Sequence, residues 1–364
     1  MKKLKFFYLL IIGISTFTIL SGCQKKSDTI QEEKDSGQKT SVTPEVKEAA
    51  KPEPEGMEKE GEAIKEEKLD MNIAALKGPT AIGMVKIMED GANGKTANHY
   101  QFTIAGAADE ISTGLIKGDI DIAAVPCNLA SVLYNKTEGK IKMAGINTLG
   151  VLYIVETGNT IETVKDLKGK TIYSTGLGTT PQYTLNYLLT ANGIDPEKDV
   201  TIEYKSEPTE VAALLSNSED AVAMLPQPYV TTVMMNNDKV RIALDITKEW
   251  ETASTDGSSV ITGVVVVRKE FLDNNKEAFD TFMEEYTKSA AFVNENVEGA
   301  AKLVEKFDIF KAAVASKAIP YCNITLIKGE DMKEKVNGYL TVLFNQEPKS
   351  VGGKVPGDDF YYIP

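Results

Sequence analysis

Apolar positions along residues 72–90 change period. Ile73 to Leu76 form a short continuous apolar run, Lys77-Gly78-Pro79-Thr80 interrupts it, and Ala81, Met84, Val85 and Met88 then recur at i, i+3, i+4 and i+7. This predicts a buried strand, a glycine turn and one amphipathic helix ended by Gly91. Such a turn leaves the first backbone N–H groups of the helix free beside the positive end of its dipole. A polar or anionic group can dock there without a dedicated side chain.

The alternation of strand and helix signals continues along the chain. Residues 100–105 read as a strand, 109–117 as a short amphipathic helix, 120–125 as a buried strand ended by Pro126, 130–134 as a helix, and 141–146 and 149–156 as strands. A strand at 171–175 runs into Gly176-Leu177-Gly178-Thr179-Thr180, and Pro181 stands where a first helical residue belongs. Further strands are predicted at 200–204, 221–225, 240–245 and 261–267, with a helix at 209–215 and another opened by Pro228-Tyr229. Beyond residue 270 the pattern is mainly helical, over 276–294, 297–307, 310–317 and 332–344, and 351–364 is a tail of little period.

Two stretches match without a gap at an offset of 100. Glu110, Ile111, Leu115, Ala123 and Pro126 correspond to Glu210, Val211, Leu215, Ala223 and Pro226, and Gly78, Thr80, Val85 and Met88 to Gly178, Thr180, Leu185 and Leu188. The shared offset predicts two similar α/β lobes. Ligands of open α/β sheets bind beyond the carboxyl ends of the strands, which selects the loops 77–81, 126–129, 176–181 and 226–229. The candidate ligand-binding residues are therefore Lys77, Gly78, Pro79, Thr80, Pro126, Cys127, Asn128, Gly178, Thr179, Thr180, Gln227 and Tyr229. The threonines offer hydroxyls at helix starts or simple N-caps, and Asn128 and Gln227 offer amides. Tyr229, Tyr183 and Trp250 are candidate stacking walls, and Met234 and Met235 are expected in the core.

Composition narrows the chemistry. A net charge of −13 disfavours a nucleic-acid partner. Arg241 and Arg268 are the only arginines, so bidentate clamps on an oxyanion are scarce. His99 is the one histidine and is expected at the surface; Cys127 and Cys322 are expected to be separate apolar fillers. No CxxC, HExxH or Cys/His cluster with metal spacing occurs, so no catalytic residue, metal or cofactor is assigned and an enzyme is not expected.

The first 23 residues read as a targeting signal: Lys2, Lys3 and Lys5, an apolar core shorter than a membrane span, then Leu20-Ser21-Gly22-Cys23. This resembles a bacterial lipobox and predicts lipidation of Cys23. Residues 24–68, rich in Glu, Lys, Pro, Ser and Gly and without an aromatic, read as a disordered tether.

The lipobox, the lobe order and the phrases LKGPTAIGMVKIM, LIKGDIDIAAVP, VKDLKGKTIYSTGLGTTPQYTLNYLL, DAVAMLPQPYV and GVVVVRKEFL resemble a solute-binding lipoprotein of an ABC importer, of the NMT1/THI5-like group that includes nitrate, sulfonate, taurine and thiamine-precursor binders. The resemblance implies a type II periplasmic-binding-protein fold: two α/β lobes joined by two crossover segments, at about 155–162 and 258–264. Lobe 1 is then 69–156 with 264–364, and lobe 2 is 157–263. It also implies an ABC permease and ATPase as partners, a monomer, and a lipid-anchored position on the outer face of the cell membrane; with arginines scarce and no convergent acidic cluster, the expected ligand is a small polar or heteroaromatic molecule of the sulfonate, nitrate or vitamin-precursor class. The lysine-rich composition favours a Gram-positive host. The alternatives are a surface receptor or adhesin on the same fold, or a pyrimidine-synthase-like enzyme, whose CCCFC motif and active-site histidine this chain lacks.

Overall fold

The computed structural model describes residues 68–254 and 258–364. The predicted lipidation signal and the tether up to residue 67 lie outside the described residues. In chain order the strands are β1 (Asp70–Leu76), β2 (His99–Ala105), β3 (Ile122–Pro126), β4 (Ile141–Leu149), β5 (Leu152–Thr157), β6 (Thr171–Thr175), β7 (Thr201–Lys205), β8 (Val222–Pro226), β9 (Val240–Asp245), β10 (Ile261–Arg268) and β11 (Ile324–Ile327). They form a six-stranded sheet, β11-β4-β10-β3-β1-β2, and a five-stranded sheet, β7-β6-β8-β5-β9.

Read from their parallel edges, β2-β1-β3-β10-β4 and β7-β6-β8-β5-β9 follow one plan. β1 is parallel to β2 and β3, as β6 is to β7 and β8. An antiparallel strand, β10 or β5, then adjoins β3 or β8. The helices Ala108–Lys117 and Pro208–Asn217 begin 100 positions apart, at the offset of the sequence repeat. Central β3 is buried on both faces and reads as an uninterrupted apolar run, whereas edge strand β2 alternates.

The lobe borders differ from those expected. β5 pairs with β8 and β9 of the second sheet, so the chain crosses at Gly150-Val151 and lobe 1 does not extend to Glu156. The return is complete at Ile261, where β10 begins, three residues before the expected start of the second lobe-1 segment. Glu156 organises the turn after β5: its carboxylate accepts from the Thr160 and Ile161 N–H groups, at 3.0 and 3.1 Å, and from Arg241.

The single helix expected at 81–88 is two, Pro79–Ile82 and Val85–Ala92. The Ser289 hydroxyl, from the helix Lys276–Glu295, occupies the place of the bond that would join them. β11 and the helix Ile246–Ala253 are additions to the sequence reading; the latter is capped by Asp245, whose carboxylate accepts from the Thr247 N–H. Trp250 is wholly buried against Tyr187, 4.1 Å between ring centroids, and Tyr339, at 5.6 Å, so it is a core residue and no stacking wall. Met234 and Met235 are not core: they are 39% and 42% exposed. His99 is exposed, and Cys127 and Cys322 are buried free thiols. The tail is ordered against lobe 1, where Val351 O accepts from Ser131 Oγ and Asn135 Nδ2.

Candidate functional site

A cavity of about 580 Å³ lies between the lobes. Its walls include the segments at the ends of the parallel strands of both sheets: Leu76–Thr80 at β1, Gly106 and Ala108 after β2, Pro126 and Asn128 at β3, Gly178–Pro181 after β6, Pro208 after β7, and Pro226, Gln227 and Tyr229 at β8. Six helices start there: Pro79–Ile82, Ala108–Lys117, Cys127–Lys136, Thr180–Ala191, Pro208–Asn217 and Tyr229–Asn236. None has a side-chain bond from its N-cap residue. The convergence follows from topology, because parallel strands of one sheet end on one side and their helices begin there.

Of the candidate residues, Lys77, Gly78, Pro79 and Thr80 line the cavity from lobe 1, with Pro126 and Asn128. Gly178, Thr179 and Thr180 line it from lobe 2, with Gln227 and Tyr229. Cys127 does not. Its side chain is fully buried in the core, and burial pushes its thiol far above the ordinary range. Tyr183 is also absent from the walls.

Most hydroxyl protons are committed within the protein. Thr80 Oγ1 donates to Leu76 O at 2.7 Å and Thr179 Oγ1 to Gly176 O at 2.8 Å. Thr180 Oγ1 donates across the lobes to Asn128 Oδ1 at 3.2 Å, and Asn128 Nδ2 donates to Ser350 O at 3.3 Å. These hydroxyls can therefore meet a ligand only as acceptors. Gln227 is buried. Its Oε1 accepts from Thr231 N and Thr231 Oγ1, at 3.2 and 2.8 Å, and its Nε2 has no partner among the described residues. Tyr229 meets Phe310 of lobe 1 edge-on, 5.6 Å between ring centroids. Burial, with Glu207 adding to it, raises its hydroxyl pKa, so it is neutral at ordinary pH.

Charge stays at the rim. Lys77, Asp109 and Lys349 line the cavity and are all exposed. The apolar part of the lining is Leu129, Val132, Val151 and Leu152, with the prolines, and buried polar side chains (Thr80, Asn128, Thr180 and Gln227) stand beside it. Sequence reasoning missed several lining residues. Ala108 and Pro208 occupy equivalent places in the repeat, so extending the strand-end rule to β2 and β7 finds them. Val151, Leu152 and Thr262 enter at the crossovers, and Lys349 and Ser350 come from the tail. Among the described residues, no three His, Cys, Asp or Glu side chains converge to hold a metal ion.

Residues 143–300 match the NMT1/THI5 like family. No curated protein sequence matches the chain. Among solved structures, an ABC transporter protein of Parabacteroides distasonis shares 24% identity and a TM-score of 0.68, over 80% of this chain and 98% of that one. The periplasmic aliphatic sulphonate-binding protein of Escherichia coli shares 16% and 0.65, over 81% and 92%. The zinc-bound ligand-binding component of an ABC-type import system from Staphylococcus aureus shares 16% and 0.62, over 81% and 97%. At these identities the likeness is one of fold. The fold is the type II periplasmic-binding-protein arrangement, and the NMT1/THI5-like match covers the first crossover, the whole second lobe and the return into the first.

Proposed function

We propose that this chain is the solute-binding component of an ABC importer. The carrying observation is the interlobe cavity, walled by helix starts from both lobes and bridged by the Thr180–Asn128 hydrogen bond. The arrangement suits capture of a solute by closing lobes. Proteins of similar fold include a ligand-binding component of an ABC-type import system and a periplasmic aliphatic sulphonate-binding protein.

The ligand we infer is an organic molecule with an apolar or heteroaromatic body and a polar end. A cavity of about 580 Å³ falls within the range of roughly 300–1,000 Å³ that suits organic ligands. A nitrate-sized ion would leave most of it unfilled. Leu129, Val132, Leu152 and Tyr229 would cover the body, and uncapped helix starts and Gln227 Nε2 would meet its polar end. A sulfonate on a ring-sized body fits this description; an inorganic oxyanion does not.

The lipobox-like Leu20-Ser21-Gly22-Cys23 supports anchoring through acyl chains on Cys23, on the outer face of the membrane, where an ABC permease and its ATPase would be the partners and a monomer the unit. A Cys23→Ala chain that still partitions with membranes counts against the anchor. The ligand reading is tested by a thermal-shift panel of nitrate, short alkyl sulfonates, aryl sulfonates, purines, pyrimidines and amino acids, since binding to the folded state raises Tm by mass action. Stabilisation by ring-bearing members is expected. Stabilisation by nitrate alone would refute the ligand class, and none by any member would refute the solute-binding reading.

A further inference from the structure

We infer that Ser289 is a positioning residue of the cleft: its hydroxyl splits the first helix of lobe 1 and thereby aims the Gly78–Thr80 turn at the cavity. In an uninterrupted helix the Ile87 N–H would bond to the Gly83 carbonyl, four residues earlier. Here Ser289 Oγ stands between them, accepting from Ile87 N at 3.2 Å and donating to Gly83 O at 2.7 Å. Ser289 is 1% exposed, lies in the helix Lys276–Glu295 and is not part of the cavity lining. A side chain inserted into the helix ladder is a recognised cause of a sharp break.

The helix Lys276–Glu295 contributes a second contact to the same turn. Asn147 Nδ2 donates both to Tyr286 OH, at 2.9 Å, and to Thr80 O, at 3.2 Å. Two residues three apart on one helix thus bear on this segment: Ser289 bonds Gly83 directly, and Tyr286 reaches Thr80 through Asn147. Gly83 permits this approach, because a Cβ there would meet Ile324 Cγ2 at 3.1 Å and Tyr286 OH at 3.3 Å. Thr80, the residue so held, lines the cavity. The break gives lobe 1 a short, redirected helix start where lobe 2 has the unbroken helix Thr180–Ala191. The two walls of the cleft therefore differ, although their sheets follow one plan. The assignment of Ser289 to ligand geometry rests on the solute-binding reading; its effect on the backbone does not.

The test is structural and needs no ligand. Crystal structures of S289A and S289T are compared with wild type, together with the through-hydrogen-bond NMR coupling between Ile87 N and Gly83 C′. In S289A the coupling, absent from wild type, is expected to appear as the helix closes on itself. Gly78–Thr80 should then shift by about 1 Å or more, a displacement on the scale that disrupts bound geometry. S289T, which keeps the hydroxyl, should restore the break. Should S289A not fold, S289C, of similar volume and weaker bonding, serves in its place. A break and a turn that persist unmoved in S289A, or in S289C, would overturn the inference and assign the break to crowding at Gly83. The thermal-shift panel on wild type tests the solute-binding reading separately.

Discussion

Glu156→Gln probes the turn that follows the first crossover. Glu156 is 1% exposed, and four donors address its carboxylate: Thr160 N, Thr160 Oγ1, Ile161 N and Arg241 Nη2. Burial pushes its pKa up, but the Thr160 and Ile161 N–H groups, the Thr160 hydroxyl and Arg241 outweigh burial and hold it below the ordinary carboxylate range. Glutamine keeps the shape but replaces one accepting oxygen with a donating NH₂. Bonds to a charged group are worth about 1.5–3 kcal/mol and neutral ones about 0.5–1.5, so two weakened bonds cost about 2–3 kcal/mol. Arg241 keeps water contact and is not stranded, which sets this below the roughly 3–5 kcal/mol for breaking a fully buried pair. The corresponding fall in Tm is about 5 °C. The pH dependence has a definite sign. A folded pKa below the unfolded one gives stability that is complete above the unfolded carboxylate pKa, about 4.3, and is lost as pH falls through the folded value. Urea denaturation of wild type and variant from neutral to acid pH should show a gap that narrows in acid. A variant as stable as wild type at pH 7, or a gap unchanged in acid, would refute the reasoning.

Thr180→Val removes the interlobe bond to Asn128 while keeping shape; a loss of about 1 kcal/mol moves the closed population roughly fivefold, read from interlobe distances in single-molecule fluorescence, and an unchanged distribution counts against it. Gly150→Ala places a Cβ 1.9 Å from Thr247 Oγ1 at the crossover, so a stability loss of about 1–3 kcal/mol is expected, measured by denaturation; a neutral variant would show that the crossover has room. Tyr229→Ala should weaken binding of any solute that stabilises wild type by about tenfold, the scale of a lost aromatic wall, as measured by calorimetry; unchanged affinity would remove Tyr229 from the site.

What the sequence disclosed follows from the range of the forces involved. The central parallel strands β3 and β8 are short apolar runs closed by Pro126 and Pro226, and such boundaries are local. The lobe border was hidden because residues 149–156 form one apolar stretch; only pairing of β5 with β8 separates it from β4. The helix break could not be read at all, since Ser289 acts on Ile87 from 202 positions away. The same distinction divides the cavity. Residues at strand ends were legible because chain order puts them there. Lys349 and Ser350 arrive through the packing of the tail on the helix Cys127–Lys136, contacts with no local signature. Met234 and Met235 are apolar yet exposed, because they line a second interlobe hollow beside Tyr321, and apolar character alone does not fix burial.

The placement of the crossovers at the interlobe cavity is a consequence of strand direction. Parallel strands β3 and β8 end at the cleft, at Pro126 and Pro226. A strand antiparallel to either must begin where its neighbour ends: Gly263, near the start of β10, pairs with Pro126, and Leu152, the start of β5, pairs with Pro226. β10 and β5 are also the strands by which the chain enters a new lobe. Both connections therefore border the cavity, and Val151, Leu152 and Thr262 become part of its wall. A solute bound there would touch the helix starts and the hinge at once. Movement of one lobe against the other and occupancy of the cavity are then coupled without an intervening relay, because the two share the same residues. The coupling energy available is the difference in ligand contact between open and closed lobes. Substitutions at Gly150 should therefore alter binding even though Gly150 itself is not part of the cavity lining.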